Sequence, residues 1–152
     1  MRIVHQEQAI HVIGIELRTS NDEAFRSIPQ HWERFSRERV LEQLPPQPAP
    51  EVYAVYTHFE NAGRDNRGVY SLVIGAPAAP GTPLPPGMVR AVAPASRCAA
   101  FDVPAGRHDL VGAAWQEIWA RTDLDRTFVA DYEHYRPDGG IEILVGLREA
   151  RG

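Results

Sequence analysis

The chain has one cysteine, Cys98, in 152 residues. That excludes an intramolecular disulfide and any zinc site built from cysteines, and a small buried thiol is the expected role. The six histidines show no metal-binding spacing: there is no His-Glu-x-x-His and no Cys/His cluster, so no metal and no cofactor is expected. Long apolar runs are also missing. No stretch approaches the ~18 residues needed to cross a bilayer, and the N-terminus lacks an apolar core followed by a small-residue cleavage site. A cytoplasmic protein without membrane attachment is expected. No run of Lys or Arg is interleaved with aromatics, and the formal net charge is −4, which argues against direct nucleic-acid binding. A Gly-x-Ser-x-Gly elbow and a phosphate-binding glycine loop are absent too.

What is present is a run of β-rich and helical segments. Residues 9–18, AIHVIGIELR, are rich in β-branched residues and read as a strand. The cap-rich SNDEAF then leads into a helix with Pro29 in its first turn and Phe25, Ile28, Trp32 and Phe35 at helical spacing. LPPQPAPE (44–51) stops that helix, because proline lacks the amide donor and clashes with the preceding turn. EVYAVYTHF (51–59) and GVYSLVIGA (68–76) read as a hairpin, and PAAPGTPLPPG (77–87) reads as a connector without regular structure. Beyond it the order recurs. MVRAVAPA and RCAAFDVPAG read as strands, and Asp109 caps a helix running to about Thr122. TFVADYEHY (127–135) and GIEILVGL (140–147) are strands joined by the turn signal RPDGG.

The two halves can be aligned. IPQHWERF (28–35) matches VGAAWQEI (111–118), VYAVYTHF (52–59) matches FVADYEHY (128–135), and YSLVIG (70–75) matches IEILVG (141–146). The last match sets Ser71 opposite Glu142. Three matches in one order indicate an internal β-α-β-β duplication. The expected fold is therefore α+β: one domain over 1–152, with pseudo-repeat halves of about 1–76 and 88–148. Its two main helices lie on an antiparallel sheet with pseudo-two-fold symmetry, leaving a groove where the halves meet.

This order of segments resembles the GyrI-like, or AraC-type effector-binding, domain family, as a stand-alone member. The resemblance rests on the Trp-bearing first helix, VYAVY, YSLVIG, the Pro/Gly connector, VPAGRHDLVGAAW and DYEHYRPDGGIEILVGL. It implies tandem modules around a groove for amphipathic, often cationic, small molecules. It also implies a groove carboxylate in the final strand, at Glu142, with aromatic walls. Some relatives act on proteins such as DNA gyrase, and others hydrolyse strained electrophiles. Many are fused to a helix-turn-helix, whereas here the tandem modules take up nearly all 152 residues.

Period-two alternation puts Ile141, Ile143 and Val145 on one strand face and Glu142 on the other. Alternation alone leaves Glu142 either on a solvated sheet face or in the groove, where the resemblance puts it. The expected ligand-binding set is Glu142, Tyr53, Tyr70, Trp115, Phe128, Tyr132, Glu133 and Tyr135, with no catalytic residue assigned. Trp32 and Trp115 sit on helix stripes and also fit a core role. Glu133 is a second carboxylate that would pair with Glu142 for acid–base work if the strands are neighbours. The leading expectation is a small-molecule sensor or sequestering protein, with multidrug binding and transcription regulation as its setting. The alternatives are a hydrolase of strained electrophiles on the same fold, and a protein–protein regulator. Ligand identity, oligomeric state and protein partner are not set by the sequence.

Overall fold

The structure, a computed structural model, describes residues 1–149. Eight strands form one antiparallel sheet: β1 (Arg2–Gln6), β2 (Ile10–Ser20), β3 (Val52–Thr57), β4 (Val69–Pro77), β5 (Val89–Ala93), β6 (Ser96–Val103), β7 (Arg126–Tyr135) and β8 (Ile141–Leu147). There are two helices, α1 (Ala24–Arg37), followed by a 3₁₀ turn at Val40–Gln43, and α2 (Val111–Ala120), preceded by one at His108–Leu110. The strand order is β1-β6-β8-β7-β3-β4-β2-β5. β2-α1-β3-β4 and β6-α2-β7-β8 repeat the same order, and β3 and β7 pair at the centre. The fold is the α+β sheet with two helices that the sequence predicts.

The outermost strands are exchanged between the halves. β1 precedes β2 in the chain but pairs with β6 of the second half. β5 precedes β6 but pairs with β2 of the first. The sequence reading contained no strand at residues 2–6, because β1 is short and its apolar residues, Ile3 and Val4, are adjacent rather than alternating.

Both sheet faces are apolar. The helices cover one face through Ile13, Ile15, Leu72, Ile74, Ile141, Ile143 and Val145, against Phe35 from α1 and Trp115 and Ile118 from α2. On the other face Val12, Val55, Val73, Ala91, Cys98, Ala100 and Leu144 form a second cluster. That face is closed by curvature of the sheet, since edge strand β5 also reaches β3 and β7. Cys98 is buried there, and burial pushes its thiol pKa up.

Two local expectations are corrected. Pro29 lies inside α1 rather than in its first turn, because the helix already begins at Ala24. Pro29 therefore has no amide to close a hydrogen bond onto the carbonyl of Phe25. Asp109 makes no capping bond. It sits in the 3₁₀ turn, where both its carboxylate oxygens accept from Arg107, and α2 starts at Val111 and ends at Ala120.

Candidate functional site

A cavity of about 740 Å³ opens between the two helices above the central strands. Its floor is Tyr56 of β3, Tyr70 of β4, and Asp131, Glu133 and Tyr135 of β7. α1 contributes Phe25, Ile28 and Trp32 to the walls, and α2 contributes Trp115 and Trp119. The rings brace one another. Tyr56 meets Trp115 edge-on at 5.1 Å, Trp32 meets Tyr135 edge-on at 5.2 Å, and Tyr70 lies 5.8 Å from Tyr56. Phe25 is 79% exposed and Trp119 44%, so two large apolar side chains stand in water at the rim.

Of the two carboxylates on the cavity floor, Asp131 is paired with Arg126, whereas Glu133, 1% exposed, has no cation bonded to it among the described residues. Its Oε2 accepts from Tyr56 Oη at 2.7 Å and from Trp115 Nε1 at 2.7 Å, and its Oε1 accepts from Tyr135 Oη at 2.5 Å. Burial pushes its pKa above the ordinary carboxylate value, against the pull of these three bonds. Every donor to it is neutral, so among the described residues no cation offsets its charge. The same burial, with Glu133 beside them, raises the Tyr56 and Tyr135 phenols well above their ordinary range, and Tyr70 is pushed up to about 12. All three therefore stay protonated, and Tyr56 and Tyr135 donate to Glu133.

The strand geometry explains this placement. Alternation sends Asp131, Glu133 and Tyr135 toward the helices and Tyr132 and His134 away from them. At the start of β7 the ladder is interrupted: Arg126 lies opposite Leu147, but the next regular pair is Asp131 with Val145. The extra residues form a bulge in which Phe128 adopts a positive φ of 52°. Asp131 stitches it shut. Its Oδ1 accepts from the Gly146 amide at 2.9 Å and its Oδ2 from Arg126 Nη2 at 2.8 Å. Gly146 is needed because a Cβ there would lie 2.9 Å from Thr127 Oγ1 and 3.0 Å from the Ala130 carbonyl.

Glu142 does not line the cavity. It lies on the opposite face, 13% exposed at its side chain, opposite Asp102 on β6 and His134 on β7. Two carboxylates facing each other across strands repel. Arg2 offsets this by reaching both: its Nη1 bonds both Asp102 oxygens at 2.9 Å and its Nη2 bonds Glu142. Arg136 Nη1 adds a bond to Glu142 Oε1 at 2.5 Å. The carboxylate is thus held by two guanidiniums, and Glu133, not Glu142, lines the helix-side cavity. Although β7 and β8 are neighbours, Glu133 and Glu142 point to opposite faces and cannot work as an acid–base pair.

Of the eight residues expected to bind ligand, Tyr70, Trp115, Glu133 and Tyr135 line the cavity, while Glu142, Tyr53, Phe128 and Tyr132 do not. Tyr53 stacks on His134 at 4.4 Å, and Tyr132 Oη donates to Gln6 Oε1 at 2.6 Å; both belong to the far face. The bulge turns Phe128 aside, where Arg126 covers its ring. The expected set left out Tyr56, although its parity with the inward residues of β3 was available, and Trp32, whose place on a helix stripe favoured a core role. Phe59, His108, Arg126 and Asp131 also line the cavity; Arg126 reaches it only through the bulge, which leaves no sequence pattern.

The profile of the GyrI-like small molecule binding domain matches residues 1–145. No curated protein matches the sequence. Among solved structures, an integron cassette protein from the mobile metagenome of Vibrio cholerae superposes with a TM-score of 0.77 at 20% identity, covering 97% of this chain and 95% of its own. The protein SAV2435, in a structure bound to tetraphenylphosphonium, superposes with a TM-score of 0.72 at 12% identity, covering 97% of this chain and 93% of its own. At these identities the likeness is one of fold.

Proposed function

The chain belongs to the GyrI-like small molecule binding domain family, and from that premise we propose that its helix-side cavity takes up a lipophilic cation whose charge is met by Glu133. The observation that carries this reading is a fully buried carboxylate, held by three neutral donors, at the floor of an aromatic cavity. An isolated buried carboxylate is costly to ionise, and a cation entering beside it removes that cost. Aromatic faces add about 0.5–2 kcal/mol for each ring within reach of the charge. The volume suits a drug-sized guest. The tetraphenylphosphonium held by a relative of the same fold is a molecule of this class. The biological role we propose is sensing or sequestering such compounds.

Calorimetric titration of tetraphenylphosphonium into the wild type and Glu133→Gln tests the reading. Saturable binding that weakens at least about tenfold in the variant supports it, a factor that corresponds to about 1.4 kcal/mol of lost charge–charge attraction. Equal affinities would refute the role of Glu133.

A second reading is hydrolysis of an electrophilic small molecule. Its support is that the desolvated Glu133 carboxyl, more basic than usual, could take a proton from a water positioned beside Tyr56. Product formation by the wild type and none by Glu133→Gln would favour it. Tight reversible binding without product would reject it.

A further inference from the structure

The two helices carry matching stripes into the cavity. In the alignment of the halves, Ile28, Pro29 and Trp32 of α1 fall on Val111, Gly112 and Trp115 of α2, and all six line the cavity. At the middle position the helices differ: α1 presents the ring of Pro29, and α2 has no side chain.

Proline and glycine are the two residues a helix favours least. Pro29 costs α1 a hydrogen bond. Gly112 costs backbone entropy within a continuous helical run, because the 3₁₀ turn His108–Leu110 leads straight into α2. Nothing in the backbone asks for glycine at 112. Its φ is not one of the positive ones, and a Cβ placed there would meet no atom within 4 Å. Gly146, by contrast, is required by close approach.

The open space at Gly112 belongs to the cavity. Gly112, Trp115, Gln116 and Trp119 follow one another at the spacing of neighbours on one helix face, and all four line the cavity. A side chain at 112 would join that row, between Trp115 and His108, which lies one turn earlier. Both flanking residues lead to the carboxylate. Trp115 Nε1 donates to Glu133, and His108 stacks on Tyr135, which also donates to it.

We infer that Gly112 is a size-determining residue of the cavity: its missing side chain leaves a bay on the α2 flank that seats one aryl arm of the cation, between His108 and Trp115. This rests on the cation site proposed above.

Tetraphenylphosphonium and methyltriphenylphosphonium carry the same charge and differ by one aryl arm. The wild type is expected to bind the four-armed cation more tightly. In Gly112→Leu the ratio of the two affinities should fall at least about fivefold, the lower end of the cost of forcing a side chain against a packed group, because the smaller cation can turn its methyl toward the leucine. Gly112→Ala should show the same trend to a smaller extent. Its ligand-free melting temperature should rise by about 2–4 °C, since alanine is the better helix former and its methyl meets no protein atom. Glu133→Gln weakens both cations alike and leaves the ratio as it is. An unchanged ratio in Gly112→Leu, with Glu133→Gln still weakening both cations, would overturn the role of Gly112 and leave the cation site standing. A lower melting temperature for Gly112→Ala would also overturn it, by showing that the fold itself requires glycine there. If neither cation binds the wild type, both readings fall.

Discussion

Tyr56 and Glu133 occupy equivalent points in the two halves and are hydrogen-bonded to each other, Tyr56 Oη donating to Glu133 Oε2 at 2.7 Å. Their equivalence follows from the ladders. With Ser71 aligned on Glu142, Leu72 falls on Ile143. Tyr56 pairs with Leu72, and Glu133 with Ile143. The pseudo-symmetric centre of the sheet is therefore chemically asymmetric, a donor in one half facing an acceptor in the other.

Cation binding should be pH-dependent through Glu133. Its folded-state pKa is raised above the ordinary 4.5, so affinity for tetraphenylphosphonium is expected to rise with pH through that folded value. In Glu133→Gln the profile should be flatter, Asp131 being the carboxyl left on the cavity floor. The ligand-free stability has the opposite sign: a raised carboxyl favours folding below its unfolded pKa and loses that contribution as pH rises through the folded one. Melting temperatures between pH 4 and 8 should therefore fall more in the wild type than in Glu133→Gln. Parallel curves would mean that Glu133 is not the titrating group. Asp131, raised by burial against the pull of Arg126, contributes equally to both proteins.

Glu142→Gln should leave cavity binding within about twofold of wild type, because Glu142 lies on the other sheet face. Its effect is expected on stability, a loss of about 1 kcal/mol, typical of partly exposed ion pairs. Urea denaturation reads this loss and dye titration reads the binding. A tenfold loss of affinity would place the ligand on the outer face.

Tyr56→Phe removes a donor that favours the ionised form of Glu133. The pKa of Glu133 should rise further, moving the midpoint of the binding profile to higher pH and lowering affinity at pH 7. Trp115→Phe is expected to act in the same direction, with an added loss from its ring. Each removed hydrogen bond corresponds to about 1 kcal/mol. A midpoint that stays put in both variants would show that these donors do not tune the carboxylate.

Gly146→Ala should destabilise the fold by about 1–3 kcal/mol, the range for overpacking, because the added methyl meets Thr127 Oγ1 and the Ala130 carbonyl. The bulge and the Arg126–Asp131 pair depend on this close approach. A variant as stable as wild type would show that the bulge has room to relax.

Much of the fold was legible because period-two and helical patterns mark most elements and the two halves repeat them. The site was less legible, for a physical reason visible at Tyr56. Matching Tyr56-x-His58 to Tyr132-x-His134 satisfies residue identity but is one position out of structural register, since Tyr56 faces the helices and Tyr132 faces away. In a strand a slip of one residue exchanges the faces. That slip hid Glu133 as the counterpart of Tyr56. Glu142 drew attention as a charge among aliphatics, but its explanation is Arg2, 140 positions earlier in the chain on a strand that the sequence did not reveal.

The exchanged strands also bear on how the chain is made. β1 leaves the ribosome first, yet its pairing partner β6 lies about ninety residues later. β2 likewise waits for β5 to cover its free edge. A half-synthesised chain therefore carries an unpaired arm and an open sheet edge. Contacts so distant in sequence slow folding and leave the nascent chain open to pairing with a neighbour. The same arm offers a direct route to dimers, by docking on β6 of a second copy, so the concentration at which the protein refolds should decide whether it closes on itself or trades its first strand.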